Sequence, residues 1–132
     1  MSSKKEFYLL VEAVRGSEGK RFLEVNTKIV LFEGGGMEEK LSFFYNAIDC
    51  RTFDIIQYNP VLDLVVDDEG LFVSGNPVFE FNNGIQIVGS FLVGRQVMTK
   101  EGLETVGFPS EKALYEQIQK EQLVFKVIGV TS

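Results

Sequence analysis

Histidine and tryptophan are absent from this 132-residue chain, which has a single cysteine and only three prolines. Without an imidazole there is no Ser-His-Asp or Cys-His nucleophile pair, no histidine metal ligand, and no side chain whose unperturbed pKa lies near neutrality. Chemistry is thereby confined to carboxylates, lysines, tyrosines and Cys50, and a non-enzymatic role is the first expectation. Cys50 has no partner for an internal disulfide, which suits a reducing cytoplasm, and it reads as a small core side chain. Long apolar runs are missing too. The first, Phe7 to Val11, is cut at Glu12 and is too short for a signal-peptide core or a membrane span. Positive charge is scarce: thirteen Lys and Arg stand against nineteen Asp and Glu, for a net charge of −6. No window carries the Lys/Arg cluster that a phosphate-tracking surface needs, so direct nucleic-acid binding is not expected.

What is present is apolar content, 45% hydrophobic by residue, enough for one core in a single domain spanning residues 1–132. β-branched and aromatic residues from Glu6 to Val14 and Lys20 to Val25, with Arg15 to Gly19 between, predict an N-terminal hairpin. Ile29 to Phe32 prolongs it after a break near Asn26 and Thr27. Gly34, Gly35 and Gly36 then interrupt regular structure. In residues 37–48 the apolar residues Met37, Leu41, Phe44, Tyr45 and Ile48 fall on one helical stripe, widened by Phe43 and Ala47, while Lys40, Ser42 and Asn46 lie off it. Phe53 to Tyr58 and Leu62 to Asp67 read as strands separated by Asn59-Pro60. Val78 to Phe81 and Ile85 to Val88 form a hairpin around Asn82-Asn83-Gly84, its second arm continuing through Gly89 to Val93. A second, more exposed helix spans about 110–122, with Ser110 as cap and Ala113, Leu114 and Ile118 as its narrow stripe. Leu123 to Val130 closes the chain as a strand. The fold class expected is α+β: a mainly antiparallel, twisted sheet with the helix of residues 37–48 packed on one face.

Three constellations bear on chemistry. The triple glycine before a helix has the form of an anion cradle, but no Lys, Ser or Thr follows, and Glu38 and Glu39 would repel a phosphate. It reads as a flexible connection. Asp54, Asp63 and Asp67 are the carboxylates for a metal site, with Asp63 and Asp67 on one strand face, although calcium-loop spacing is absent. Asp49, Arg51 and Asp54 surround Cys50 at a helix–strand junction, and arginine grips carboxylates and phosphates bidentately. Arg51, Arg95, Asp54 and Tyr58 are therefore the candidate ligand-binding residues, with Phe43, Tyr45, Phe53 and Tyr58 as candidate lining of a pocket or a partner-facing patch.

Asp67-Asp68-Glu69-Gly70-Leu71, the Asn76-Pro77 that follows and Val88-Gly89-Ser90-Phe91, in order after Cys50-Arg51-Thr52-Phe53-Asp54-Ile55, resemble a domain-of-unknown-function family of small proteins. That family occurs in phages, prophages and conjugative elements of Gram-positive bacteria. The likeness covers roughly residues 37–93, and neither the N-terminal hairpin nor the segment after Gly94 takes part in it. It implies a mobile-element accessory protein and no catalytic residues. The expected function is a non-enzymatic binding protein without cofactor or membrane association, its partner a host protein or a small anionic molecule. The alternatives are a carboxylate-dependent, metal-assisted hydrolase and an acidic mimic of nucleic acid. An unpaired edge strand such as Leu123 to Val130 would also suit a homodimer.

Overall fold

The computed structural model describes residues 5–15, 23–73 and 75–131. Nine strands and two helices follow in the order β1 (Lys5–Arg15), β2 (Leu23–Glu33), α1 (Met37–Ala47), β3 (Phe53–Gln57), β4 (Leu62–Asp67), β5 (Pro77–Phe81), β6 (Gln86–Val88), β7 (Phe91–Thr99), β8 (Gly102–Val106), α2 (Glu111–Lys120) and β9 (Phe125–Val130). A 3-10 turn, Gly70–Phe72, lies between β4 and β5. Six strands form one sheet, in the order β2-β1-β7-β4-β3 with β8 also on β7, and three form a second, β6-β5-β9. Every pairing among the described strands is antiparallel. The protein is thus α+β, as expected.

Alternation along the strands divides the apolar residues between two cores. Tyr8, Leu10, Val65 and Leu92 face α1 and pack with Phe32, Phe44 and Ile48. Their neighbours Leu9, Val11, Leu64, Val66, Phe91 and Val93 face the opposite way, against Phe79, Phe81 and Ile87 of the small sheet and Leu114 of α2. The large sheet is therefore covered on both faces, where the sequence suggested cover on one.

Several elements depart from expectation. β2 runs unbroken through Asn26 and Thr27, which pair with Glu12 and Val11, because a full partner strand satisfies backbone groups whatever the local preference. Gly16 to Gly19, the expected turn, lie outside the described residues. The arm after Asn82-Asn83-Gly84 stops at Val88. Gly89 adopts φ 88°, and Phe91 opens β7 in the other sheet, so Gly89 marks a change of sheet rather than a continuing strand. The β7–β8 hairpin was not foreseen, although Gln96 to Thr99 and Leu103 to Val106 flank Lys100-Glu101-Gly102, a tight-turn signal with Gly102 at φ 118°.

α1 starts at the triple glycine, where Gly34 and Gly35 take φ 66° and 97°. The Gly36 N–H donates to Glu39 Oε2 at 2.7 Å, so the helix's own carboxylate sits where an anion would. Its buried face is rotated from the expected stripe. Met37 is 61% exposed, whereas Lys40, placed off the stripe from sequence, is 6% exposed and shares the buried side with Phe44 and Ile48. α2 follows expectation more closely, with Ser110 Oγ accepting from Ala113 N–H at 3.0 Å and Leu114 fully buried.

The Phe44 ring meets Tyr8 and Phe53 edge-on, with centroids 5.5 and 5.4 Å away. Phe44→Ala is expected to cost about 3–5 kcal/mol, and Met37→Ala to lie within about 0.5 kcal/mol of wild type, in urea unfolding. Equal losses from the two would disprove the rotated buried face.

Candidate functional site

β7 changes partner along its length. Phe91 to Val93 pair with β1, and from Arg95 onward β8 takes that place, while β4 holds the other edge. Where β1 and β8 part, at Gly107, backbone groups lose their ladder partners and must be satisfied by side chains. Glu6 Oε1 accepts the Gly107 N–H at 2.9 Å, and Arg95 Nε donates to the Gly107 carbonyl at 2.7 Å. Gly107 has no room for a side chain: a Cβ would lie 2.7 Å from Glu6 Cβ and 2.8 Å from the Phe7 nitrogen. Gly94 is equally confined, its Cβ position 3.1 Å from the Tyr8 ring and 2.9 Å from the Val106 carbonyl oxygen.

A charged cluster grows from this corner. Tyr8 hydroxyl donates to Glu6 Oε1 at 2.8 Å, and Lys40 Nζ lies 3.0 Å from the same oxygen and 3.6 Å from Glu104 Oε1. Burial by itself would raise the Glu6 carboxyl. The Gly107 N–H, Lys40 and Tyr8 together outweigh it and hold the group below its ordinary value. Tyr8 is pushed upward by burial and by the Glu6 charge, so its phenol stays a hydrogen-bond donor.

Asp63 stands opposite Gly94 on the α1 face of β4 and is 2% exposed. Its Oδ2 accepts from the Thr105 hydroxyl at 2.6 Å, and its Oδ1 has no hydrogen-bond partner among the described residues. Burial raises its pKa, with the Thr105 bond opposing. Lys40, Asp63, Glu104 and Thr105 line a cavity of about 380 Å³ beneath α1, walled on its apolar side by residues that include Leu41 and Phe53. It falls within the range of small-ligand sites.

The residues singled out from sequence do not gather here. Arg51 has its side chain 86% exposed and pairs with Glu69 at 2.8 Å, rather than with Asp49 or Asp54. Arg95 is occupied by the Gly107 carbonyl, and its register position opposite Leu62 lies five residues along β4 from the Phe53–Asp67 pair next to Arg51, about 17 Å. Asp54 is exposed and accepts from the Ile55 N–H at 2.8 Å. Tyr58 is buried in the opposite core, its hydroxyl donating to the Asn82 side chain, while Phe43, Tyr45 and Phe53 cluster around α1.

The metal triad fails for a geometric reason. Asp54 pairs opposite Val66 on the small-sheet side, whereas Asp63 lies beneath α1 and Asp67 accepts the Glu69 N–H at 2.9 Å, four residues further along β4. Among the described residues no three Cys, Asp or Glu side chains are grouped to hold a metal ion. Cys50 is pushed up to about 11 by burial and then by Asp67 and Asp49, so it remains a thiol at neutral pH. No helix among the described residues is long and apolar enough to cross a membrane.

Sequence reading missed Lys40, Glu6, Glu104 and Thr105. One signal was available: Lys40 lies one helical turn before Phe44 and two before Ile48, so a buried lysine was implicit once those two were placed inside. Glu6 and Glu104, from opposite ends of the chain, carried none.

Asp63 binds its proton more tightly in the folded than in the unfolded chain, so ionisation destabilises the fold. That cost is absent below the ordinary value of 3.8 and complete above the raised folded value. Asp63→Asn is accordingly expected to melt higher than wild type at neutral pH, with the advantage vanishing on acidification toward 3.8, as followed by thermal melts across that range. Gly107→Ala is expected to destabilise by about 1–3 kcal/mol, because its new methyl meets β1 backbone; an unchanged urea midpoint would contradict the close approach.

Comparison with protein-family models, with curated proteins and with solved structures finds no match for this chain, which leaves the cavity and its side chains as the ground for a functional conclusion.

Proposed function

We propose that this is a non-enzymatic binding protein whose small-molecule ligand occupies the cavity between α1 and β8. One observation carries the reading: a buried carboxylate oxygen in the cavity wall, Asp63 Oδ1, has no partner among the described residues. An unpaired buried acceptor costs about 1–3 kcal/mol, more when charged, and a bound donor would recover it. The Lys40 ammonium is held by Glu6 and Glu104 and the Thr105 hydroxyl donates to Asp63, with no histidine to activate either, which favours binding over covalent chemistry. The anionic ligand expected from sequence is less well served, since Arg51 and Arg95 are engaged elsewhere and the cavity wall is acidic. Within this proposal the role is that of a cytoplasmic mobile-element accessory protein, a reading supported by the resemblance of residues 37–93 noted from sequence. A second reading, a host protein adding a strand, draws on β9. It is the last strand of the small sheet, with Val127, Ile128 and Val130 exposed.

The cavity reading is tested by titrating a fragment library into isotope-labelled protein and following amide resonances. Perturbations are expected to concentrate on Lys40, Asp63, Gln96 and Thr105. Hits scattered over the surface, or confined to β9, would rule the cavity out as the binding site.

A further inference from the structure

The polar wall of the cavity is richer in acceptors than in free donors: beside Lys40 the donor group is the Gln96 amide, whose Oε1 accepts from Gln57 at 3.1 Å. Asp63 keeps Oδ2 on Thr105 and leaves Oδ1 open, and the Thr105 hydroxyl hydrogen is spent on that same bond. Lys40 is the one ammonium, and it lies between Glu6 and Glu104, closer to Glu6 by 3.0 against 3.6 Å. A single positive charge cannot neutralise Glu6, Glu104 and Asp63 together. The resulting negative potential acts beside apolar surface, where it is screened less than in water. Facing these acceptors are Leu41, Phe53, Ile55 and Leu103, an apolar wall that asks for a hydrocarbon body.

We infer that the cavity, on the reading that it is the ligand site, takes an organic primary amine in its ammonium form, its N–H donors on Asp63 Oδ1 and Glu104 and its apolar body against Leu41, Phe53 and Leu103. An ammonium group supplies donors and positive charge at once, which an alcohol or amide does not. A bare hard cation would need six or more oxygens and would leave the hydrocarbon wall unused. A carboxylate or phosphate would meet the carboxylates of Asp63 and Glu104 in the wall, against one lysine already paired with Glu6.

The test uses the full chain and three probes with one aromatic body: phenethylammonium, phenethyl alcohol and hydrocinnamate. Binding is read by calorimetry and by the amide resonances of Asp63 and Thr105. The ammonium is expected to bind about tenfold or more tightly than the alcohol, with hydrocinnamate weakest. Asp63→Asn, expected from the burial of Asp63 to keep the fold and checked by its melting curve, should erase the preference for the ammonium, and Glu104→Gln on the cavity rim should reduce it. Equal affinity for ammonium and alcohol, preference for hydrocinnamate, or an unchanged preference in Asp63→Asn would each overturn the amine assignment. So would silence from the ammonium in a cavity that accepts other fragments. If no fragment of any kind reaches the cavity, the binding-site reading itself falls.

Discussion

β7 is the strand on which both layers depend. It is hydrogen-bonded to β1, β4 and β8, and its alternating side chains enter both cores, Phe91 and Val93 on one face and Leu92 on the other. A strand that exchanges one neighbour for another part-way along must leave backbone groups unpaired at the exchange, and burying those groups requires polar side chains to meet them. The Gly107 amide and carbonyl, met by Glu6 and Arg95, are that requirement made visible. Once Glu6 is drawn inward as a carboxylate, a cation must accompany it, and Lys40 of α1 does so at 3.0 Å.

This sequence of necessities explains why a polar pocket exists inside an otherwise aromatic layer. Phe32, Phe43, Phe44, Phe53 and Tyr8 fill the middle of the space between α1 and the large sheet. At the β8 end the same space is bordered by Lys40, Glu104, Asp63 and Thr105. Gly94 and Gly107 allow it, since neither position has room for a Cβ. Asp63 is the least completely matched: burial disfavours its charged form, and one of its two oxygens has a hydrogen-bond partner among the described residues while the other has none. That open oxygen, facing the cavity, is what the proposed binding function rests on.

Much of the secondary structure was legible because its causes are local. The Asn82-Asn83-Gly84 turn, the Ser110 cap and the Asn59-Pro60 stop each act within a few residues, and the structure places elements at all three. α1 was legible in extent but not in orientation. Five apolar residues at helical spacing are equally compatible with a face centred on Leu41 and one centred on Phe44, and the choice was made by Tyr8, Phe53 and the carboxylates waiting for Lys40. The Arg51 and Asp54 reading failed for a related reason. Residues adjacent in sequence at an element end point to different places, and Glu69, not a neighbour of Arg51 in the chain, became its partner.

The sequence by itself determined the α+β class, the two helices and most strands, and the exclusion of imidazole chemistry, because periodicity, turn residues and composition act at short range. The tertiary structure alone decided that Gly89 divides two sheets, that both faces of the large sheet are covered, and that Lys40, Glu6, Glu104 and Asp63 converge beneath α1. A charged side chain carries the same letter whether it is solvated or buried. Whether it can be buried depends on the free energy of pairing with partners contributed by remote segments, and those partners meet only when the chain has folded.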